Sequence, residues 1–346
     1  MRKVTYYLFF AGSALFLLYA CTKTGSSTTI IGNWVSRFDF DGVSRSEAVS
    51  FTIGDVAYVG TGYAGSGNAT KTNDRLADLW KYNVDNNSWT VMASLPDSAA
   101  RTNAVGFGTS TKGYISTGLA QDAITKLKDT WEYDPTANTW TKKADFAGTA
   151  RYDAVAFSIN NVGYIVTGYD GNYLKDFYSY NPAGAGTWTQ LQSFQGYKRK
   201  AAVAFVYQNK AYVCTGQDNT TFPNDFWVYD PSGSGTWTQK RQIANVSTDS
   251  YDDSYNIVRA NAVAFVMGGK GYVATGENGS VFKTVWEYDF TGDQWTQKTD
   301  FEGGTRTGAT GFTVKDRGFL LTGAQSSQVF SDFWEFHPNE DYNQYD

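Results

Sequence analysis

Six arginines stand in one repeated setting. Arg-x-x-Ala-(Val/Thr)-x-Phe begins at Arg45, Arg101, Arg151, Arg199, Arg259 and Arg306. A guanidinium is a planar fork that grips carboxylates through paired, charge-assisted hydrogen bonds, so a ring of six could clamp an anionic ligand. The same forks could be consumed by aspartates of the fold, and repetition favours that use for most of them. The two residues between Arg and Ala do not repeat: Ser46-Glu47, Thr102-Asn103, Tyr152-Asp153, Lys200-Ala201, Ala260-Asn261 and Thr307-Gly308. A scaffold does not explain such differences, so these positions are the better functional candidates. Glu47 or Asp153 could act as a base with an arginine as carboxylate clamp. Arg101, Arg151 and Arg259 are the favoured ligand contacts, because Asn103, Asp153 and Asn261 beside them add polar groups at the same level.

What the chain lacks narrows its chemistry. It has one histidine, His337, and two cysteines, Cys21 and Cys214, in 346 residues. Metal centres built from several His or Cys ligands are excluded, as are Cys-His and Ser-His-Asp nucleophile systems. No cofactor is expected. A formal charge of −5 argues against nucleic acid, which needs a basic footprint.

The elements that must position these residues repeat as well. Seven residues after each Phe comes an aromatic that opens a run ending in Thr-Gly, from Tyr58 to Gly62, Tyr114 to Gly118, Tyr164 to Gly168, Tyr212 to Gly216, Tyr272 to Gly276 and Phe319 to Gly323. An Asp-x-Trp-x-Tyr type segment follows at Asp78, Asp129, Asp176, Asp225, Thr284 and Asp332, and then a Trp-Thr pair at Trp89, Trp140, Trp188, Trp237 and Trp295. Four short runs of β-branched and aromatic residues, separated by Gly, Asn, Asp and Pro turns, read as a four-stranded antiparallel sheet. Units of this length, each a single sheet, are the pattern of propeller blades around an axis. The fold class is all-β, a six-bladed β-propeller.

The last unit ends without its closing Trp. Trp34 precedes Arg45 by eleven residues, the interval that separates Trp140 from Arg151, Trp188 from Arg199 and Trp295 from Arg306. The segment around Trp34 is therefore expected to supply the missing fourth strand and close the ring, pairing both edges of an otherwise open array.

Calling the strands of a blade a to d, the a–b and c–d intervals are nearly constant, whereas b–c varies from eight residues (Gly168 to Asp176) to sixteen (Gly62 to Asp78). The d–a link also jumps to twenty-two between Trp237 and Arg259. Constant scaffold on one side and variable loops on the other place the working surface on the b–c and d–a face, where the arginines also lie. Each could pair there with the aspartate opening strand c of a neighbouring blade. Tyr63 and Tyr169, just after Thr-Gly, and Tyr152 add aromatic faces suited to a glycan or a peptide.

The register of Gly closing strand b, Tyr in strand c and Trp in strand d resembles the Kelch repeat over about residues 31 to 337, with Thr-Gly in place of the usual Gly-Gly. The resemblance implies a non-catalytic module that binds a glycan or protein ligand, since arginines at this repeat position bind acidic peptides in similar Kelch domains. It also implies an alternative, because six-bladed Kelch proteins that look like this include a secreted epimerase of N-acetylneuraminate acting on an anionic sugar. Carboxyls raised by burial in the mouth would favour the enzyme, and a wide, shallow aromatic mouth the binder. Copper chemistry like that of galactose oxidase, a similar fold, would need two His and a cross-linked Cys.

Residues 1–21 start basic at Arg2 and Lys3, run apolar and end Leu18-Tyr19-Ala20-Cys21, which resembles a bacterial lipobox. Cys21 is expected to be lipidated, anchoring the protein to the membrane of a bacterial cell envelope; an uncleaved anchor or ordinary cleavage are the competing readings. Loss of Arg2 and Lys3 would take the formal charge from −5 to −7. Residues 22–29 read as a flexible tether, 30–338 as the propeller and 339–346 as a disordered acidic tail. Asp249, Asp252 and Asp253 could bind calcium but have no defined ligand spacing, so a solvated loop is favoured and no metal is assigned. A monomer is expected.

Overall fold

The computed structural model describes residue 1 and residues 30–65, 75–244 and 255–345. The leader with Cys21, the tether, and the loop carrying Asp249, Asp252 and Asp253 lie outside the described residues.

Each repeat forms one blade. In blade 1, strand a is Val49–Ile53, b is Val56–Gly60, c is Leu79–Asn83 and d is Ser88–Met92, paired in that order. Strand a alternates buried Val49, Phe51 and Ile53 with half-buried Ser50 and Thr52, the period of two that a pleated strand imposes. Strand b is buried along nearly its whole length, as a strand covered on both faces must be. The a strands of successive blades are neighbours, and that of blade 6 returns to that of blade 1, so the six surround one axis.

The core lies in the wedges between blades. Tyr58 of blade 1 meets Tyr133 of blade 2 at 5.4 Å, and Tyr82 of blade 1 meets Phe319 of blade 6 at 5.4 Å. These rings are the repeated aromatics of strands a to d, which accounts for the constancy of their spacing.

Blade 6 takes strands a, b and c from Thr310–Val314, Arg317–Leu321 and Phe333–His337, and its d strand from Asn33–Ser36 at the other end of the chain. Trp34 pairs with Phe336 and Ser36 with Trp334. The fully buried Trp34 indole stacks on Phe336 at 4.6 Å and meets Phe301 edge-on at 4.9 Å. Burying about 200 Å² of such a ring at roughly 25 cal/mol/Å² contributes about 5 kcal/mol before entropy is counted. Buried Glu335 adds an ionic clasp, accepting Arg317 at 2.5 Å and Arg37 Nε at 2.8 Å, so a strand c carboxylate holds a guanidinium just beyond the closing strand. The tail is bonded to this strand rather than loose: Gly32 N–H donates to Glu340 O and Asn343 N–H to Asn33 Oδ1, both at 2.9 Å.

Candidate functional site

All six repeat arginines are fully buried. Arg45 shows the pattern. Nη1 and Nη2 each meet an Asp78 oxygen at 2.6 Å, Nη1 also donates to Thr61 O at 2.9 Å, and Nε donates to Val43 O at 2.8 Å. Arg101–Asp129, Arg151–Asp176 and Arg306–Asp332 repeat this fork, and Arg199 bonds Asp225 through Nη2. Each aspartate opens strand c of the arginine's own blade, not of a neighbouring one. Blade 5 has Thr284 instead, so Arg259 is held by the carbonyls of Ile257, Thr275 and Thr284 and by the Thr284 hydroxyl at 2.9 Å. Burial without that carboxylate pulls its pKa down to about 10. The ring is therefore occupied by the fold, and Arg101, Arg151 and Arg259 turn no guanidinium edge outward to meet a ligand.

Backbone hydrogen bonds on the same face explain the rest of the repeat. The Gly of each Thr-Gly donates its N–H to the carbonyl of the next blade's arginine, from Gly62 to Arg101 at 2.8 Å round to Gly323 to Arg45 at 2.8 Å. Gly62 has φ +102°, and a Cβ there would lie 2.7 Å from Ser46 O, so no larger residue fits. The preceding Thr carries the penalty that Gly-Gly would avoid. Thr61, Thr117, Thr167, Thr215, Thr275 and Thr322 all have φ between 57° and 66°, and among the described residues their buried hydroxyls meet no hydrogen-bond partner.

Nearest the axis, Glu47, Asn103, Asp153, Ala201, Asn261 and Gly308 all adopt the left-handed conformation, with φ from 52° to 62°. Each donates its N–H to the carbonyl of the equivalent residue one blade back, at 2.7 to 3.3 Å, and Glu47 donates to Gly308. This closed cycle of six hydrogen bonds rims the channel mouth. The residue before each member pairs with the one after Thr-Gly: Ser46 with Tyr63, Thr102 with Leu119, Tyr152 with Tyr169, Lys200 with Gln217, Ala260 with Glu277 and Thr307 with Ala324. Backbone geometry thus repeats around the mouth while side chains differ at every step.

The six residues of the cycle border a cavity of about 190 Å³. Thr102 Oγ1 donates to Glu47 at 2.8 Å, Asn103 Nδ2 to Asp153 at 2.6 Å, and Asn261 Nδ2 to Glu277 at 2.9 Å. Lys200 Nζ meets the other Asp153 oxygen at 3.2 Å and lies over the rings of Tyr152 and Tyr169 at 5.3 and 5.7 Å. Burial, then the neighbouring Asp153 charge, holds the Glu47 carboxyl above its ordinary value, outweighing the bonds from Thr102 and Asn103. Burial also raises Asp153, against the pull of Lys200. The ammonium of Lys200 loses to burial, but Asp153 and then Tyr152 restore it above its usual range.

Of the candidate residues, Glu47, Asn103, Asp153 and Asn261 border the one cavity, and Tyr152 and Tyr169 pack against each other and Lys200 at its side. Tyr63 stands apart, its ring under the Arg75 guanidinium at 5.7 Å. Lys200 and Thr102, named among the non-repeating pairs but given no role there, join the site, as does Glu277. For Lys200 the signal was available: it is the one cation among six residues that directly follow the arginines. Among the described residues, no group of three or more His, Cys, Asp or Glu is placed to hold a metal ion. Burial pushes the Cys214 thiol up to about 12, which leaves it inert.

The Kelch motif family model matches residues 198–241, which span Arg199 through the d strand of blade 4. No curated protein matches the chain. A solved structure titled "Structure of YjhT" is similar, with 14% identity, a TM-score of 0.69, and coverage of 86% of this chain and 95% of that one, a likeness of fold. With six four-stranded blades and an end-to-end closing strand, the chain is a six-bladed β-propeller that carries a Kelch motif in its fourth blade.

Proposed function

We propose that this propeller is an exported module, anchored through lipid on Cys21, whose channel mouth binds the hydroxyl-rich end of a glycan without transforming it. One observation carries the reading: paired donors and acceptors (Asn103, Asp153, Lys200, Asn261, Glu47) are gathered beside the faces of Tyr152 and Tyr169. Side chains that both give and accept hydrogen bonds match sugar hydroxyls, and aromatic faces match the apolar faces of sugar rings. Because the fold occupies the arginines, the mouth sets Glu47, Asp153 and Glu277 against Lys200 and does not select for an anion. Its volume is below the roughly 300 Å³ of a pocket that engulfs a ligand. A site too small to engulf its ligand leaves most of that ligand in water, which favours binding over chemistry.

Full-length protein on a glycan array tests this. Retention of neutral saccharides that is lost in Tyr152→Ala and Asp153→Asn supports the reading, and an array with no retained glycan refutes it. A second reading rests on the raised carboxyls of Glu47 and Asp153, which would suit proton transfer in an epimerase of N-acetylneuraminate. A mutarotation assay separates the two: acceleration by the wild type that vanishes in Glu47→Gln establishes the enzyme.

A further inference from the structure

We infer that the bound glycan is a chain, and that its inner sugars lie in a groove between blades 3 and 4, reached from the mouth along a track of aromatic rings. This rests on the glycan reading of the mouth. The track begins at Tyr152, continues to Tyr169 at 5.6 Å and then to Tyr173 at 5.0 Å, each step edge to face. Tyr173 also lines the groove, a cavity of about 800 Å³, so the track of rings ends in the groove's wall. Its hydroxyl donates to Asn219 O at 3.2 Å, fixing the ring between a blade 3 loop and a blade 4 loop.

The groove is built to present rings. Tyr197 is 62% exposed, yet its backbone is held at both polar groups: its N–H donates to Asp225 Oδ2 at 3.0 Å and its carbonyl accepts Arg199 Nε at 3.0 Å. Among the six residues two before a repeat arginine (Val43, Ala99, Thr149, Tyr197, Ile257, Gly304), it is the one aromatic. The scaffold therefore does not require it. Half-buried Trp227 forms another wall, oriented by its indole N–H bond to Asp225 at 2.8 Å, with Gln239 and Asp218 as polar neighbours. An exposed ring on an anchored backbone beside an indole fixed by its own hydrogen bond, with an amide and a carboxylate lining the same groove, can bind successive sugars at a reduced ordering cost.

The test is calorimetry on the full chain with two neutral ladders, glucose to cellotetraose and N-acetylglucosamine to chitotetraose, comparing wild type, Tyr197→Ala and Asp153→Asn. Expected for at least one ladder is an affinity that rises about tenfold from one unit to three. Tyr197→Ala should abolish that rise and leave single-sugar affinity and melting unchanged. Affinity independent of length, a rise that survives Tyr197→Ala, or binding of neither ladder overturns the track. Asp153→Asn reports on the mouth separately: length-independent binding that it weakens leaves the mouth reading standing without the track, and a Tyr197-dependent rise that it does not touch keeps the groove and refutes the mouth.

Discussion

Lys200 Nζ lies 3.2 Å from the Asp153 carboxylate and shares its space with the rings of Tyr152 and Tyr169. The pair is largely withdrawn from water, with side-chain exposures of 23% and 8%. Replacing one partner strands the other. Lys200→Met should cost about 1 to 3 kcal/mol at neutral pH, because Asp153 keeps its burial and loses its counter-charge. Adding Asp153→Asn should recover most of that loss, and chemical denaturation of both single variants and the double variant measures the coupling. Strictly additive effects would show that the pair is not a unit.

Glu47 has a signed pH dependence. Its carboxyl is raised in the folded chain, so the folded state holds this proton more tightly than the unfolded state, whose carboxyl titrates near 4.5. Its contribution to stability is therefore most favourable below pH 4.5 and declines as pH rises to the raised value. Glu47→Gln, which cannot ionise, should melt progressively higher than the wild type as pH climbs through that window and hold a constant advantage above it. A gap that is largest at low pH would reverse the assignment.

Blade 5 supplies its own control for the arginine ring. Thr284→Asp gives Arg259 the carboxylate that five other blades possess and should stabilise the fold by about 1 to 3 kcal/mol. The mirror change, Asp225→Thr, removes a partner whose side chain is 3% exposed and should cost about 3 kcal/mol or more. Equal melting of both variants with the wild type would mean that these pairs carry no net energy.

The threonines of Thr-Gly make a further prediction. At φ 62°, Thr117 pays about 1 to 2 kcal/mol for a left-handed conformation and buries a hydroxyl that meets no partner among the described residues. Gly there removes both costs and returns about 0.5 to 1 kcal/mol in unfolded-chain entropy, leaving Thr117→Gly about 1 kcal/mol more stable. Differential scanning calorimetry reads the sign, and a lowered melting temperature would assign the Thr methyl a packing role that outweighs the strain.

The number of blades, the strand order and the closing strand at Trp34 were legible because each follows from one-dimensional spacing. The Phe-to-aromatic interval fixes strands a and b, and the Trp-to-Arg interval reveals the strand at the far end of the chain. The mouth was legible as a set of positions, since Glu47, Asn103, Asp153 and Asn261 differ where the scaffold repeats. The occupation of the arginines was legible only as a possibility, because Arg45 and Asp78 are 33 residues apart and nothing along the chain says which blade their bond lies in. Lys200 was named but given no role for a related reason: its function depends on Asp153, which belongs to another blade. Pairings across blades are set by the backbone cycle at the mouth, and that cycle has no sequence signature beyond tolerance of a left-handed φ.

The central claim is that the arginines hold the fold and the mouth residues hold the ligand. Single-site variants of both sets, with melting temperature and saccharide affinity measured on the same preparations, test it most directly. Arg101→Ala should lower the melting temperature sharply while the molecules that remain folded bind as the wild type does; Asp153→Asn should weaken binding about tenfold while lowering the melting temperature by less than Arg101→Ala does. The opposite pattern, an Arg101→Ala that melts normally and loses the ligand beside an Asp153→Asn that binds unchanged, would contradict the account.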